Sequence, residues 1–249
     1  MKLSLNLYIV FHEDFDMKNY NILNTNKQYL IFYGVKKRKT CPQKILYENE
    51  LPIYSNFYQL HKYNESSALF HLYINKIYLE QQWIGLFQYD MRFNKGMFKD
   101  IEIGVNNPKT IFYINFFKNE RLFFKEGLRG IIKTFPGFTA ALPYFNSYFK
   151  TTYSIKDLNT MPLVNAFIIP SSLFEQMMKW MLPYFSNIYI RENLTSYSLD
   201  HKKVYINPGH LIEAYTGLFL GLHIKMGYKA IKLKCEHDHN IKRKLNKPI

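Results

Sequence analysis

The run Trp83-Ile84-Gly85-Leu86-Phe87 is unbroken in its apolarity, holds a glycine at its centre, and gives way within a few residues to Gln88, Asp90 and Arg92 before Phe93 closes the segment. A short, continuous apolar run bounded by such a switch reads as a strand buried on both faces of a mostly parallel sheet. Few folds accommodate a strand of that kind, and in open α/β sheets ligands bind just beyond the carboxyl ends of the strands. Asp90 therefore falls where a ligand phosphate, or a cation holding one, is expected. The alternative is a buried strand that leaves the sheet into a solvated turn.

Other segments supply the rest of an alternating α/β pattern. Leu3 to Phe11 reads as a first strand ending at His12-Glu13-Asp14, and Tyr29 to Val35 as a second. The second runs into Lys36-Lys37-Arg38-Lys39, a basic tetrad able to contact a phosphate or to form a solvated loop. Between these strands, Asp16 to Gln28 is polar and Asn-rich. Ile45 to Leu60 is aromatic and irregular. From Glu65 the spacing of Ala68, Leu69, Leu72, Tyr73 and Ile74 predicts a helix, with Asn64 as its cap. That helix feeds the Trp83 strand.

Asp100 to Val105 and Thr110 to Phe117 read as further strands, and Lys125 to Thr134 as a short helix followed by a turn at Phe135 to Phe138. Met161 to Ile169 is an apolar strand stopped by Pro170. Ser171-Ser172 are expected to cap a helix whose Met and aromatic stripe, from Leu173 to Leu182, is core. Gly209 to Gly227 reads as another helix, and Ala230 to Leu233 as a last strand. No internal repeat or clear linker divides the chain, so residues 1–239 are expected to form a single domain, followed by a loose basic tail, 240–249.

The chain has 249 residues and is 47% hydrophobic, enough for a sizeable core and incompatible with disorder. A net charge of +14 points to an anionic partner. An AT-rich coding sequence produces the same surplus of Lys, Asn, Ile, Tyr and Phe. Two cysteines, Cys41 and Cys235, make no disulfide framework and fit a reducing compartment. The N-terminal run is not read as a signal peptide, because it alternates apolar and polar residues and lacks a small-residue cleavage site. No run reaches the ~20 apolar residues of a membrane span.

Phosphate-binding loops, dinucleotide-binding glycine fingerprints, nucleophile elbows and cysteine zinc patterns are absent from the sequence. Three places remain where chemistry could sit. Asp90 has Gln88 and Arg92 beside it. Cys235-Glu236-His237-Asp238-His239 follows the last strand and offers metal-ligand types, of which alternation on an extended chain lets at most two face one ion. Glu213 interrupts an otherwise apolar helical stretch, so it either faces a polar cleft, where a carboxylate serves as general base, or lies on an exposed face.

Four segments together resemble the glycosyltransferases of bacterial capsular-polysaccharide clusters and of large DNA viruses that build their own glycans. Tyr8 to His12 resembles that family's first strand, which ends in a His. Asn64 to Asn75 is similar to its Glu-Leu-Thr helix. Trp83 to Phe93 resembles its Gly-Leu strand, with Gln88-Tyr89-Asp90-Met91 standing where His-Tyr-Arg-Arg is usual. Asn165 to Pro183, followed by Gly209 to Leu222, resembles its closing half, with Ala214 after Glu213 where Arg is usual.

The resemblance implies a GT-A-like (Rossmann-like) α/β domain with a central, mostly parallel sheet flanked by helices. It also implies transfer of a sugar from a nucleotide-diphosphate sugar, a UDP-sugar foremost, to a glycan, glycoprotein or other hydroxyl acceptor in the cytoplasm (a host's, for a viral chain). On that reading Asp90 holds Mn²⁺ or Mg²⁺ at the diphosphate, with His237 or His239 as further ligands. His12, Lys36, Lys37, Glu65, Gln88 and Arg92 contact the donor, and Glu213 takes the acceptor's proton. Two rivals stand beside it: a basic, aromatic-rich nucleic-acid-binding protein, and a transferase fold without activity that serves as a structural module.

Overall fold

The computed structural model describes residues 4–12, 29–35, 45–59, 64–94, 96–114, 138–158, 160–162, 165–194, 198–199, 202–203 and 208–237. The strands are β1 (Leu5–Phe11), β2 (Leu30–Gly34), β3 (Leu46–Tyr47), β4 (Trp83–Gln88), β5 (Met91–Phe93), β6 (Thr110–Tyr113), β7 (Phe167–Pro170), β8 (Ser198–Leu199), β9 (Lys202–Lys203), β10 (Lys229–Lys232) and β11 (Cys235–His237). Among the described residues, six α-helices accompany them: α1 (Asn56–Gln59), α2 (Ser67–Ile74), α3 (Met97–Gly104), α4 (Phe138–Phe149), α5 (Ser171–Leu194) and α6 (Pro208–Lys225).

Seven strands form the main sheet in the order β10-β6-β7-β4-β1-β2-β3. β1 is parallel to both β2 and β4, and β10 is parallel to β6. β7 alone in this sheet runs antiparallel to its neighbours, pairing Leu86 with Phe167 and Tyr113 with Phe167. The architecture is the α/β, mostly parallel sheet that the sequence implies. Both faces of β1 are buried: Tyr8 and Val10 join the core under α2, α5 and α6, while Leu5, Leu7, Ile9 and Phe11 join the core that holds α3. Gly85 sits between these strands because nothing larger fits; a Cβ there would lie 2.5 Å from Leu7 Cδ1 and 2.8 Å from Ile168 Cγ1.

Several sequence expectations need correction. Asp100 to Val105 is not a strand but most of α3. Its Ile101-Glu102-Ile103 alternation imitates a strand, yet Met97, Phe98, Ile101 and Gly104 are the buried residues, at helical spacing, and Ile103 is exposed. Asn64 does not cap a helix: Asn64–Ser66 is a 3-10 turn, and α2 starts after it. Ser171 is already helical, and its hydroxyl donates to the carbonyl of Gln81 at 2.6 Å, tying α5 to the entry of β4. Past the expected Trp83 strand, a turn at Tyr89 and Asp90 leads into a further short strand, β5. Helix α4 was not anticipated at all; Pro143 lies in its second turn, where it removes one intrahelical hydrogen bond.

Among the described residues, the aromatics lie mostly inside. Phe70, Phe87, Phe112, Phe145, Phe167, Tyr8, Tyr33, Tyr89, Tyr215 and Trp180 are fully buried side chains rather than open stacking platforms. The stripe on α5 is core, as expected, with Leu173, Phe174, Met177, Met178, Trp180 and Met181 buried. Gly217 and Gly221, one turn apart on α6, give Leu158 and residues 160–162 room against the helix; a Cβ at either would collide with the carbonyl oxygen of Pro162 or Thr160.

A fully buried polar cluster fastens the chain after β3 to α2. Glu48 and His71 are both inaccessible, with His71 Nδ1 2.9 Å from Glu48 Oε1. The backbone N–H of Ser55 donates to His71 Nε2 at 3.1 Å, which places the ring proton on Nδ1, facing Glu48. The hydroxyls of Tyr33 (3.3 Å) and Ser67 (3.1 Å) also donate to this carboxylate. Burial, then the Glu48 charge, pushes the Tyr33 phenol well above its ordinary value, so it stays a donor. Among the described residues, no helix is long and apolar enough to cross a membrane.

Candidate active site

The order β3-β2-β1-β4 makes the boundary between β1 and β4 a topological switch point, since the chain leaves β1 toward β2 on one side and comes back to β4 on the other. Ligands of open α/β sheets sit in the crevice outside such a point, at the carboxyl ends. Two of the sequence-predicted residues lie there. His12 follows β1 directly, and Gln88, half-buried, ends β4 opposite Val10. The backbone N–H of Tyr89 donates to the carbonyl of Val10 at 3.1 Å, which holds the two strand ends together. Tyr89 is buried and meets the His12 ring edge-on, centroids 5.4 Å apart. Asp90 follows, 8% exposed.

Glu65 reaches the same edge from the 3-10 turn before α2. Its Oε1 lies 2.7 Å from His12 Nδ1, and the two side chains keep 16% and 20% of their surface in contact with solvent. Both residues were marked from sequence as donor contacts; that they meet each other was not visible, because 53 positions separate them. The turn itself is fixed from two directions. Ser66 Oγ donates to the Gly209 carbonyl at 3.4 Å, and Asn165 Nδ2 donates to Ser66 Oγ at 2.7 Å. Gly209 lies in the first turn of α6, and Glu213 stands one turn further along that helix, half-buried between buried Ile212 and Ala214. Thus β1, β4, the turn before α2, the approach to β7 and the start of α6 converge on one end of the sheet.

The second strand of interest, β5, pairs antiparallel with β11, aligning Phe93 with Cys235, Arg92 with Glu236 and Met91 with His237. His237 is therefore brought across a ladder from the residue next to Asp90. The side chains of Arg92 and His237 lie outside the described set, as do Lys36, Lys37 and His239 altogether. The expected helix at Lys125 to Thr134, the polar stretch Asp16 to Gln28 and the basic tail fall outside it too. Among the described residues there is no group of three or more His, Cys, Asp and Glu side chains able to hold a metal ion.

Sequence reasoning gave no role to three residues that the fold places at or behind this edge. Glu48 lies within the aromatic, irregular stretch Ile45 to Leu60, and His71 within the Asn64 to Asn75 motif segment. Asn165 was noted only as part of a motif. A buried carboxylate or amide carries no sequence signal beyond its apolar surroundings, and Glu48 has few of those.

No protein-family model matches the chain, and no curated protein sequence matches it. Among solved structures, the apo form of the bifunctional glycosyltransferase WbbM superposes on 95% of this chain with a TM-score of 0.50 at 14% identity. The chain spans 46% of the length of that protein. At this identity the likeness defines the fold: a glycosyltransferase-like, Rossmann-related α/β domain.

Proposed function

We propose that this chain is a nucleotide-sugar-dependent glycosyltransferase, of GT-A type, that moves a sugar onto a hydroxyl acceptor. The observation that carries the proposal is the convergence of His12, Glu65, Asp90 and the α6 start bearing Glu213 on the switch-point edge of a sheet shared with a glycosyltransferase. The nucleotide lies across the ends of β1 and β4, and His12, Gln88, Arg92 and the Lys36-Lys37 pair contact the donor. Glu65 holds the His12 imidazole in place. Asp90, with His237 or His239, would hold Mn²⁺ or Mg²⁺, which would supply positive charge against the departing diphosphate. Glu213 accepts the proton of the attacking hydroxyl, a role that belongs to a single displacement with inversion at the anomeric carbon.

A thermal-shift series with UDP, GDP and CMP and their sugars, with and without Mn²⁺, tests the reading. One nucleotide should raise the melting temperature by mass action, and the rise should depend on the cation. Glu213→Gln should lower turnover ~100-fold or more while leaving donor binding unchanged. A protein that responds to no nucleotide but is stabilised by single-stranded oligonucleotides refutes it.

A further inference from the structure

Asn165 is 6% exposed and stands two residues ahead of Phe167, which pairs with Leu86 near the end of β4. Its amide orientation is set by its neighbours. Ser66 Oγ gives its hydrogen to the Gly209 carbonyl and must therefore accept from Asn165, so the Nδ2 side of the amide faces Ser66. The opposite atom, Oδ1, is buried and has no hydrogen-bond partner among the described residues. Rotating the amide would only exchange the orphan, leaving two donors unmatched and breaking the relay. A native fold keeps a buried, unmatched acceptor at a cost. Here it is kept beside Ser66, the residue after Glu65, at the edge where the ligand is proposed to sit. The other buried side-chain atoms of this kind outside that edge, Thr110 Oγ1 and Trp180 Nε1, stand alone in the helical and sheet cores and adjoin none of these groups.

We propose that Asn165 Oδ1 accepts a hydrogen bond from a sugar hydroxyl of the bound ligand, and that the Ser66–Gly209 relay is there to hold the amide in that orientation. The inference rests on the transferase reading and deepens it by assigning the recognition of the sugar, as distinct from its nucleotide. Because Oδ1 lies beneath the rim, the hydroxyl must displace what covers it, and the bond then forms away from water, where a missing partner is penalised most. A site built this way rejects ligands that lack the matching hydroxyl. Ser66 acts through Asn165 and is a positioning residue.

The test is a comparison of Asn165→Leu, close in volume but without polar atoms, with the unaltered chain. Dissociation constants are measured for UDP against UDP-glucose, UDP-galactose and UDP-N-acetylglucosamine, and for GDP against GDP-mannose, all with Mn²⁺. KM is then measured for the acceptor. The expected result is unchanged affinity for the bare nucleotide and a loss of tenfold or more for the sugar-bearing one. Unchanged donor binding with a tenfold rise in acceptor KM would assign the same hydrogen bond to the acceptor's hydroxyl. Equal affinities and equal KM in both proteins overturn the inference while leaving the transferase reading intact. If the unaltered chain binds no nucleotide and no nucleotide sugar, that reading fails and this inference falls with it. Should Asn165→Leu not fold, Asn165→Ser, too short to reach, is held to the same outcomes. Ser66→Ala, which frees the amide to rotate, should lose less affinity for the sugar nucleotide than Asn165→Leu; a larger loss would contradict the relay.

Discussion

Replacing Glu48 by Ala should be far more damaging than replacing it by Gln, although both remove the same charge. The carboxylate is inaccessible and faces three donors: His71 Nδ1–H at 2.9 Å, the Ser67 hydroxyl at 3.1 Å and the Tyr33 hydroxyl at 3.3 Å. Alanine takes away every acceptor at once and leaves a void. Each buried donor stripped of its partner costs ~1–3 kcal/mol, and His71 and Ser67 recover part of this, the first by leaning on the Ser67 carbonyl 3.1 Å away and the second by turning its hydroxyl. The net loss comes to roughly 3–6 kcal/mol, a large share of the ~5–15 kcal/mol that holds a typical domain folded. Glutamine keeps one oxygen for His71 and Tyr33. It turns an NH₂ toward Ser67, whose hydroxyl can reverse to accept, so the cost falls to about 1–2 kcal/mol, that of charge assistance. Urea unfolding followed by Trp83 and Trp180 fluorescence reads both, since each indole is buried. An Ala variant within about 1 kcal/mol of the parent, or a Gln variant as unstable as Ala, would refute the claim that acceptor count rather than charge matters here.

His223 gives a pH-dependent prediction. It is 2% exposed, packed on Phe219 with centroids 4.0 Å apart, and burial pushes its imidazole down from 6.5 to about 4. The folded chain resists taking up this proton, so the stability tied to His223 is whole above pH 6.5 and drains away as pH falls toward 4, on the order of 3 kcal/mol in all. His223→Phe should flatten that part of the stability–pH profile measured by chemical unfolding; an unchanged slope would contradict it. Gly217→Ala should lower the melting temperature markedly, by ~2 kcal/mol or more of stability, because the new methyl meets the Pro162 carbonyl rather than a yielding side chain. Equal melting of variant and parent would show that Leu158 and residues 160–162 do not press on α6 as drawn. Asp90→Asn should abolish the Mn²⁺-dependent part of any nucleotide-induced thermal shift while leaving the ligand-free melting temperature within a few degrees; a retained cation effect would move the metal elsewhere.

β1 and β4 were legible to within a residue or two because they are short, apolar and buried, so their ends show as polarity switches. β2 was read as closely although it is only half-buried over most of its length. Reading α3 as a strand followed from β-branched residues at alternate positions, a local pattern that the burial of Met97, Phe98 and Ile101 overrode. The site was legible only as separate points. Asp90 could be marked by its place at a strand end and His12 and Glu65 by the resemblance, but the 2.7 Å meeting of His12 with Glu65 depends on how α2 lies over the sheet. The Asn165–Ser66–Gly209 relay joins three segments through single hydrogen bonds, and no periodicity encodes that.

The pairing of β5 with β11 ties the turn that holds Asp90 to the far end of the described chain. About 140 residues lie between the partners, which a ribosome adding ~5–20 residues per second needs on the order of ten seconds or more to supply. During that interval β1, β2 and β4 are already synthesised and can pair, while the strand that braces Asp90 does not yet exist. A nascent or prematurely terminated chain thus carries the switch-point crevice without its brace. The turn at Asp90 gains its partner strand last, only once residue 237 has left the exit tunnel.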